Sequence, residues 1–156
     1  MLVRRATETD LPRINELRRQ VNELHVQGKP EVFKPGFGEE LQQYLYTLFG
    51  RETCTILVAD TDGEIAGFAI LSRIERAENP YRKAICYLDV DELCVDAAHR
   101  RQGVGRALMA AVSEEARAQG IDRVELNMWE FNEEALRFYE ALGFRTYRRY
   151  MEFHVD

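Results

Sequence analysis

The chain has 156 residues, 46% of them hydrophobic and 31% charged, with 27 acidic against 21 basic side chains and a formal net charge of −6. That length suits a single domain, residues 1–156, able to bury about 70% of its unfolded surface. The acidic balance argues against a general nucleic-acid binder, which would carry a basic face, and no apolar run approaches the length that crosses a bilayer.

Met1 to Thr7 contains no apolar signal-peptide core, so a cytoplasmic protein without a membrane anchor is expected. Cys54, Cys86 and Cys94 are odd in number and each lies inside an apolar run, which reads as free buried thiols in a reducing compartment. His25, His99 and His154 show no ligand spacing with one another or with the cysteines, and no metal is expected.

Leu2 to Ala6 reads as a short strand. Thr9 or Asp10 can cap a helix that tolerates Pro12 in its first turn, and Leu11, Ile14, Leu17, Val21 and Leu24 then recur at helical spacing to about His25. Gly28 to Gly38 is a loop whose Val32, Phe33 and Phe37 either lie on the core as a flap or line a pocket. A second helix runs from about Glu39 to Phe49. Thr55 to Ala59 is a strand, Asp60-Thr61-Asp62-Gly63 a hairpin turn, and Glu64 to Ile74 the returning strand. Gly67 inside it signals a bulge or the close approach of another element. Ala84 to Val95 forms a long strand.

Beyond Val95 a short polar turn carries Arg100, Gly103 and Gly105, and Val104, Leu108, Val112 and Ala116 stripe a helix that Gly120 ends. Val124, Leu126 and Met128 alternate with Glu125 and Asn127, so Arg123 to Trp129 reads as a half-buried strand. Asn132 caps the next helix, Glu133 and Glu134 suit its positive first turn, and Gly143 lies past its end. Phe144 to Val155 has room for one long strand or two joined by a bend. The order β-α-α-β-β-β-α-β-α-β(-β) is α/β with a mixed central sheet: an antiparallel start, then a strand–helix–strand crossover.

The turn after Val95 aims unpaired helix N-terminal N–H groups, and the positive end of the helix dipole, at whatever lies above it. It is not a P-loop, because Arg106-Ala107 follows Gly105 where Lys-Ser or Lys-Thr would be needed, and one Gly103-x-Gly105 late in the chain is not a dinucleotide fingerprint. Arg100-x-x-Gly103-x-Gly105 opening a helix is followed by Asn132-x-x-Ala135-x-x-Phe138-Tyr139-x-x-x-Gly143-Phe144. Together they resemble the two central motifs of the GNAT superfamily of N-acetyltransferases, from about Leu88 to Phe144, and the order of elements extends the resemblance to the rest of the chain.

The resemblance implies acetyl-coenzyme A as acyl donor, a primary amine as acceptor, and a homodimer as a common assembly. The pyrophosphate would rest on the backbone N–H groups of Arg101, Gln102, Gly103, Val104, Gly105 and Arg106. Arg100 would shape the turn or meet a phosphate. Leu93, Cys94 and Val95 would offer exposed backbone to the pantetheine amides, in the manner of strand addition. Asn132 would cap its helix and touch coenzyme A. Tyr139 would be the general acid toward the leaving thiolate, and a backbone N–H at Cys94 or Val95 would serve the oxyanion.

For the base, Glu92 and Asp91 stand level and ahead of Asp89. Strict alternation would place Asp89 and Asp91 on one face, with Glu92 on the apolar row of Cys86, Leu88, Val90 and Cys94, where desolvation would raise its pKa. Relatives often bulge at this point, which would break that parity. The end of the first helix and its flap, the Tyr44–Leu48 face and Trp129 to Phe131 are candidate walls of the acceptor pocket. A covalent route through Cys94 lacks an activating base. The competing reading is a non-catalytic acyl-coenzyme A-binding or sensing module, which an intact Tyr139 and an acidic strand argue against.

Overall fold

The computed structural model describes residues 1–155. Nine elements follow in order: β1 (Leu2–Arg5), α1 (Leu11–Gly28), α2 (Glu39–Phe49), β2 (Cys54–Thr61), β3 (Glu64–Arg76), β4 (Ile85–Val95), α3 (Val104–Ala118), β5 (Val124–Leu126) and α4 (Glu133–Ala141), with short 3₁₀ turns at Glu8–Asp10 and Ala97–His99. The sheet order is β1-β2-β3-β4-β5. The first four strands pair antiparallel and β5 joins β4 in parallel, so the mixed α/β sheet expected from the sequence is present. Among the described residues no helix is long and apolar enough to cross a membrane.

Both faces of the sheet are covered because alternate residues of β2, β3 and β4 are apolar on either side. On one face the apolar stripe of α3 (Val104, Leu108, Val112, Ala116) packs against Leu57, Ala69, Leu71, Leu88 and Val90, with Phe138 and Tyr139 of α4 at its margin. On the other, Leu11, Ile14 and Leu17 of α1 and Leu45 and Leu48 of α2 pack against Val58, Phe68, Ile70 and Cys94. Gly67 lets α3 settle: a Cβ there would stand 2.7 Å from the Cys94 carbonyl oxygen and 3.1 Å from Val104 Cγ1.

Three sequence expectations change. The first helix continues beyond His25 to Gly28. The strand expected over Arg123 to Trp129 shortens to Val124–Leu126, because its ladder with β4 stops at Val90↔Leu126. Phe144 to Val155 forms no strand in the described structure, although its side chains alternate as a strand's would. Such alternation becomes a strand only against a partner edge, and among the described residues it pairs with none.

Candidate active site

The site is built where β4 stops pairing on one side. Leu88, Asp89 and Val90 match Val124, Glu125 and Leu126, and beyond Val90 no ladder joins the two strands. The Asp96 N–H donates to Ala66 O at 2.9 Å, which fixes the phase of the antiparallel ladder with β3. Backbone groups alternate in direction along such a ladder. Cys94, paired with Phe68, therefore turns its N–H and C=O toward β3, while Leu93 and Val95 turn theirs toward the opening. Of the three residues expected to offer free backbone, Leu93 and Val95 do so and Cys94 does not.

The opening leads directly to the first turn of α3. Gly103 is its N-cap at φ +84°, a left-handed conformation that a side chain would strain, and it supplies no capping side chain. Arg101 also has positive φ, at 61°. The first intrahelical bond runs from the Ala107 N–H to Gly103 O at 3.0 Å. The N–H groups of Val104, Gly105 and Arg106 thus precede any helical acceptor and point outward, as an anion cradle requires. Gly105 has a packing reason besides: a Cβ there would meet Phe138 Cζ at 3.1 Å and Val95 Cγ2 at 3.5 Å. Its bareness lets α4 close on α3 beside the opening.

The acids of β4 do not sit as strict alternation placed them. The register slips between Ile70 and Leu71, so that Ile70 faces Glu92 while Leu71 faces Val90, and Asp91 is the extra residue of a β-bulge. The slip inverts the side-chain parity. Leu88 and Val90 face α3, and after the bulge so do Leu93 and Val95; Glu92 and Cys94 face α1. Glu92 therefore leaves the row of Leu88 and Val90. It accepts from Arg18 of α1 through Nε at 2.9 and 3.2 Å and Nη2 at 2.9 Å. Arg18 is buried, and its Nη1 donates to Asn15 Oδ1 and the Leu41 carbonyl.

Asp91 accepts from the Ser72 hydroxyl, and burial, opposed in part by that bond, holds its carboxyl above the usual range. Asp89 is half-buried and, among the described residues, makes no pair with a cation. Burial first, then the negative charges of Asp91 and Glu125, push its carboxyl up to about 6. Glu125, opposite Asp89 in the β4–β5 register, is held by Arg123 at 2.7 Å.

Tyr139 packs edge-on to Phe138 at 5.1 Å and Phe144 at 5.6 Å between ring centroids. Burial pushes its phenol up to about 12. The Asn132 side chain caps α4 by accepting from the Ala135 N–H at 3.2 Å, as its position implied. Cys94 turns its thiol into the α1 face, where Sγ lies 3.7 Å from Leu17 O and burial pushes it up to about 12. Burial of this kind makes a thiol a poor nucleophile. Of the candidate pocket walls, His25, Phe33, Trp129 and Phe131 come together: His25 stacks on Phe33 at 5.0 Å, and Phe33 meets Trp129 at 5.3 Å. His25 feels the charge of Glu92, but burial dominates and lowers its pKa. Tyr44 lies apart, against Arg51.

Comparison with known families bears on this arrangement directly. The family described as "Acetyltransferase (GNAT) family" matches residues 18–144, which run from Arg18 in α1 to the turn after α4. The chain belongs to the GNAT acetyltransferase family. Among curated relatives, the streptothricin acetyltransferase of Streptomyces lavendulae is 30% identical over 90 residues, 58% of this chain and 43% of that protein. The chain thus matches less than half the length of that relative. Among solved structures, a tetramutant of the BH1408 protein from Bacillus halodurans superposes with a TM-score of 0.94 at 28% identity, covering 99% of this chain and 100% of the other. The aminoglycoside acetyltransferase AAC(6')-Iy, solved with a bisubstrate analogue containing coenzyme A, shares the fold at 20% identity and a TM-score of 0.78, over 99% and 97% of the two chains.

Two residues of this GNAT site escaped sequence reading. Ser72 offers no signal, since its partner Asp91 is brought to it by the bulge. Arg18 does offer one. It follows Ile14 by four residues and so lies beside the apolar stripe of α1, where a charge needs a buried partner.

Proposed function

We propose that the chain is an acetyl-coenzyme A-dependent N-acetyltransferase that acts on a primary amine by direct attack. One observation carries the reading: β4 stops pairing with β5 where the Leu93 and Val95 backbone turns outward, and the uncapped first turn of α3 lies beside it, with Gly105 against Val95. Amide-accepting backbone followed by an anion cradle matches, in order, a pantetheine arm and a pyrophosphate. The cradle would be Arg101 to Arg106 with Arg100 beside it, and Asn132, which caps α4, would touch coenzyme A.

In the reaction the amine nitrogen attacks the thioester carbonyl carbon, the carbon–sulfur bond breaks, and one amine proton is lost. The Val95 N–H is the donor for the oxyanion. We assign the proton to the Asp89–Asp91 pair and give Glu92 a positioning role through Arg18. The raised Asp89 carboxyl is deprotonated near neutral pH yet basic enough to accept a proton. Tyr139 remains a phenol throughout that range. An ordinary thiol titrates near about 8.5, so Tyr139 donates a hydrogen bond to the leaving thiolate, and full protonation follows from solvent.

The acceptor reaches the acids past His25, Phe33, Trp129 and Phe131. Asp89 and Asp91 lack cationic partners, which suits a cationic amine such as a polyamine or an aminosugar. The bisubstrate complex of AAC(6')-Iy supports an acceptor of that class only as an example on the same fold.

The test is thiol release from acetyl-coenzyme A across polyamines, aminoglycosides, amino acids and peptides, with calorimetry of coenzyme A against ATP. Coenzyme A binding with amine-dependent thiol release is the expected result. Binding without release for any amine supports the sensing module instead, and preference for ATP overturns the cradle assignment.

A further inference from the structure

Four rings from three separate stretches of chain meet in one circuit. His25 lies near the end of α1, Phe33 in the loop before α2, and Trp129 and Phe131 in the segment after β5. His25 stacks on Phe33, and Phe33 meets Trp129 edge-on. Trp129 faces Phe131 at 6.5 Å with planes 22° apart, and Phe131 returns to His25 at 6.4 Å. A Cβ at Gly28 would stand 2.3 Å from the Phe131 ring, so the bare end of α1 is what admits that ring. Trp129 follows Leu126, the last residue of β5 in register with β4, by three positions, and His25 feels the charge of Glu92 beside Asp91. Trp129 remains 37% exposed, and the other three rings are only partly buried. Aromatic surface left facing water beside a site is surface that a ligand covers.

We propose that this wall sets the acceptor class: a primary amine carried by an alkyl chain on a flat aromatic ring, with its ammonium at Asp89 and Asp91 and its ring against Phe33, Trp129 and Phe131. The inference rests on the acetyltransferase reading above and narrows its acceptor. The acids select a cationic head without distinguishing what carries it, so the wall decides. Burial lowers the His25 pKa, which leaves the imidazole neutral near pH 7. The cation-binding face of Trp129 is already taken, because Lys29 Nζ lies 6.0 Å from its ring centroid, held there by Glu31 at 3.2 Å and Glu152 at 2.9 Å. A linear polyamine would bring a second ammonium toward that of Lys29, a like-charge contact, and has no flat face to stack. An aminosugar brings hydroxyls that need hydrogen-bond partners, and of the four rings only the indole N–H and the imidazole supply any. An aromatic body meets the rings in the edge-on and stacked geometries they already adopt with one another.

Trp129 is the single tryptophan of the chain, so its fluorescence reads the wall without any chemistry. In the protein saturated with coenzyme A, 2-phenylethylamine should change that fluorescence saturably and putrescine should not. Phe33→Leu keeps apolar bulk and loses the ring. It should weaken the Kd for 2-phenylethylamine by about tenfold, while calorimetry returns the wild-type affinity for coenzyme A and so shows the variant folded. Thiol release from acetyl-coenzyme A should favour 2-phenylethylamine over putrescine and glucosamine by at least about tenfold in kcat/KM. The absence of a saturable change overturns the proposal, as does a Phe33→Leu variant that binds 2-phenylethylamine like the wild type. Release that prefers putrescine or glucosamine also overturns it but leaves the acetyltransferase reading standing. A saturable, Phe33-dependent change with no release for any amine supports the wall as an aryl-amine site and overturns acetyl transfer instead.

Discussion

Replacing Glu92 by glutamine separates a structural carboxylate from a catalytic one. Glu92 takes two nitrogens of Arg18, whose side chain is only 6% exposed against 25% for Glu92. Glutamine keeps one oxygen acceptor and loses the charge and one strong hydrogen bond. A hydrogen bond to a charged group is worth about 1.5–3 kcal/mol, so Glu92→Gln should cost about 2 kcal/mol. Glu92→Ala, which leaves the buried guanidinium without a counter-charge, should cost about 3–5 kcal/mol. For a chain of this size each kcal/mol moves the thermal midpoint by about 2–4 °C, so the glutamine variant should melt about 4–8 °C lower. Thermal and urea unfolding followed by circular dichroism measure this. A cycle with Arg18→Met should return a coupling of at least about 1 kcal/mol, as expected for contacting residues. In parallel, the pH–rate profile of Glu92→Gln should keep its acidic limb. An unchanged midpoint together with a lost acidic limb would refute the argument and make Glu92 the base.

Three further outcomes are expected. Asp89→Asn should abolish the fall in kcat/KM below about pH 6, where the raised carboxyl protonates; a retained limb assigns the proton elsewhere. For stability the sign is opposite to that of a salt-bridged acid. A carboxyl raised from 3.8 to about 6 costs the fold nothing at low pH and a growing penalty as pH rises through that window. The asparagine variant should therefore be more stable above pH 6, by about 1 kcal/mol after solvent screening at a half-exposed site, and an equal midpoint at pH 7 would count against the desolvation argument. Tyr139→Phe keeps the packing against Phe138 and Phe144, so it should leave stability and acetyl-coenzyme A affinity nearly unchanged while lowering turnover by about 100-fold; equal turnover across pH would remove it from the chemistry. Gly67→Ala drives a methyl to 2.7 Å from the Cys94 carbonyl oxygen. Its overpacking cost should be about 1–3 kcal/mol, with a raised KM for acetyl-coenzyme A because β4 is pushed toward the opening; a neutral unfolding midpoint would show that β4 yields freely.

The elements that sequence conveyed well are those whose cause is local. The stripe of Leu11, Ile14 and Leu17 specifies α1, Asn132 and Gly143 bracket α4, and Gly67 announces the approach of α3. The start of α3 was legible for the same reason, because a helix N-terminus after a Gly-containing turn is a property of contiguous residues. What was not legible depends on distant pairing. The bulge at Asp91 arises from how β4 registers against β3, and nothing within Asp89-Val90-Asp91-Glu92 states it. The short β5 follows from that same departure of β4, and the Arg18–Glu92 pair joins residues 74 positions apart. The final segment has the pattern of a strand, but pattern alone does not supply the neighbouring edge.

The extra residue at Asp91 has a consequence for how tolerance to substitution is distributed along β4. On either side of it the chain keeps time in twos, but the two halves are out of step. Before it, Leu88 and Val90 face α3; after it, Leu93 and Val95 do. A saturation scan should therefore show a period-two rhythm of sensitivity that skips a beat at residue 91. Pairing Asp91 into a regular ladder, with no bulge, would bring the halves back into step at the cost of everything downstream. The Leu93 and Val95 side chains would rotate to the α1 face, Glu92 would lose Arg18, and the backbone groups now turned to the opening would turn to β3. A single inserted residue lets one strand serve two opposite cores and still leave an edge free.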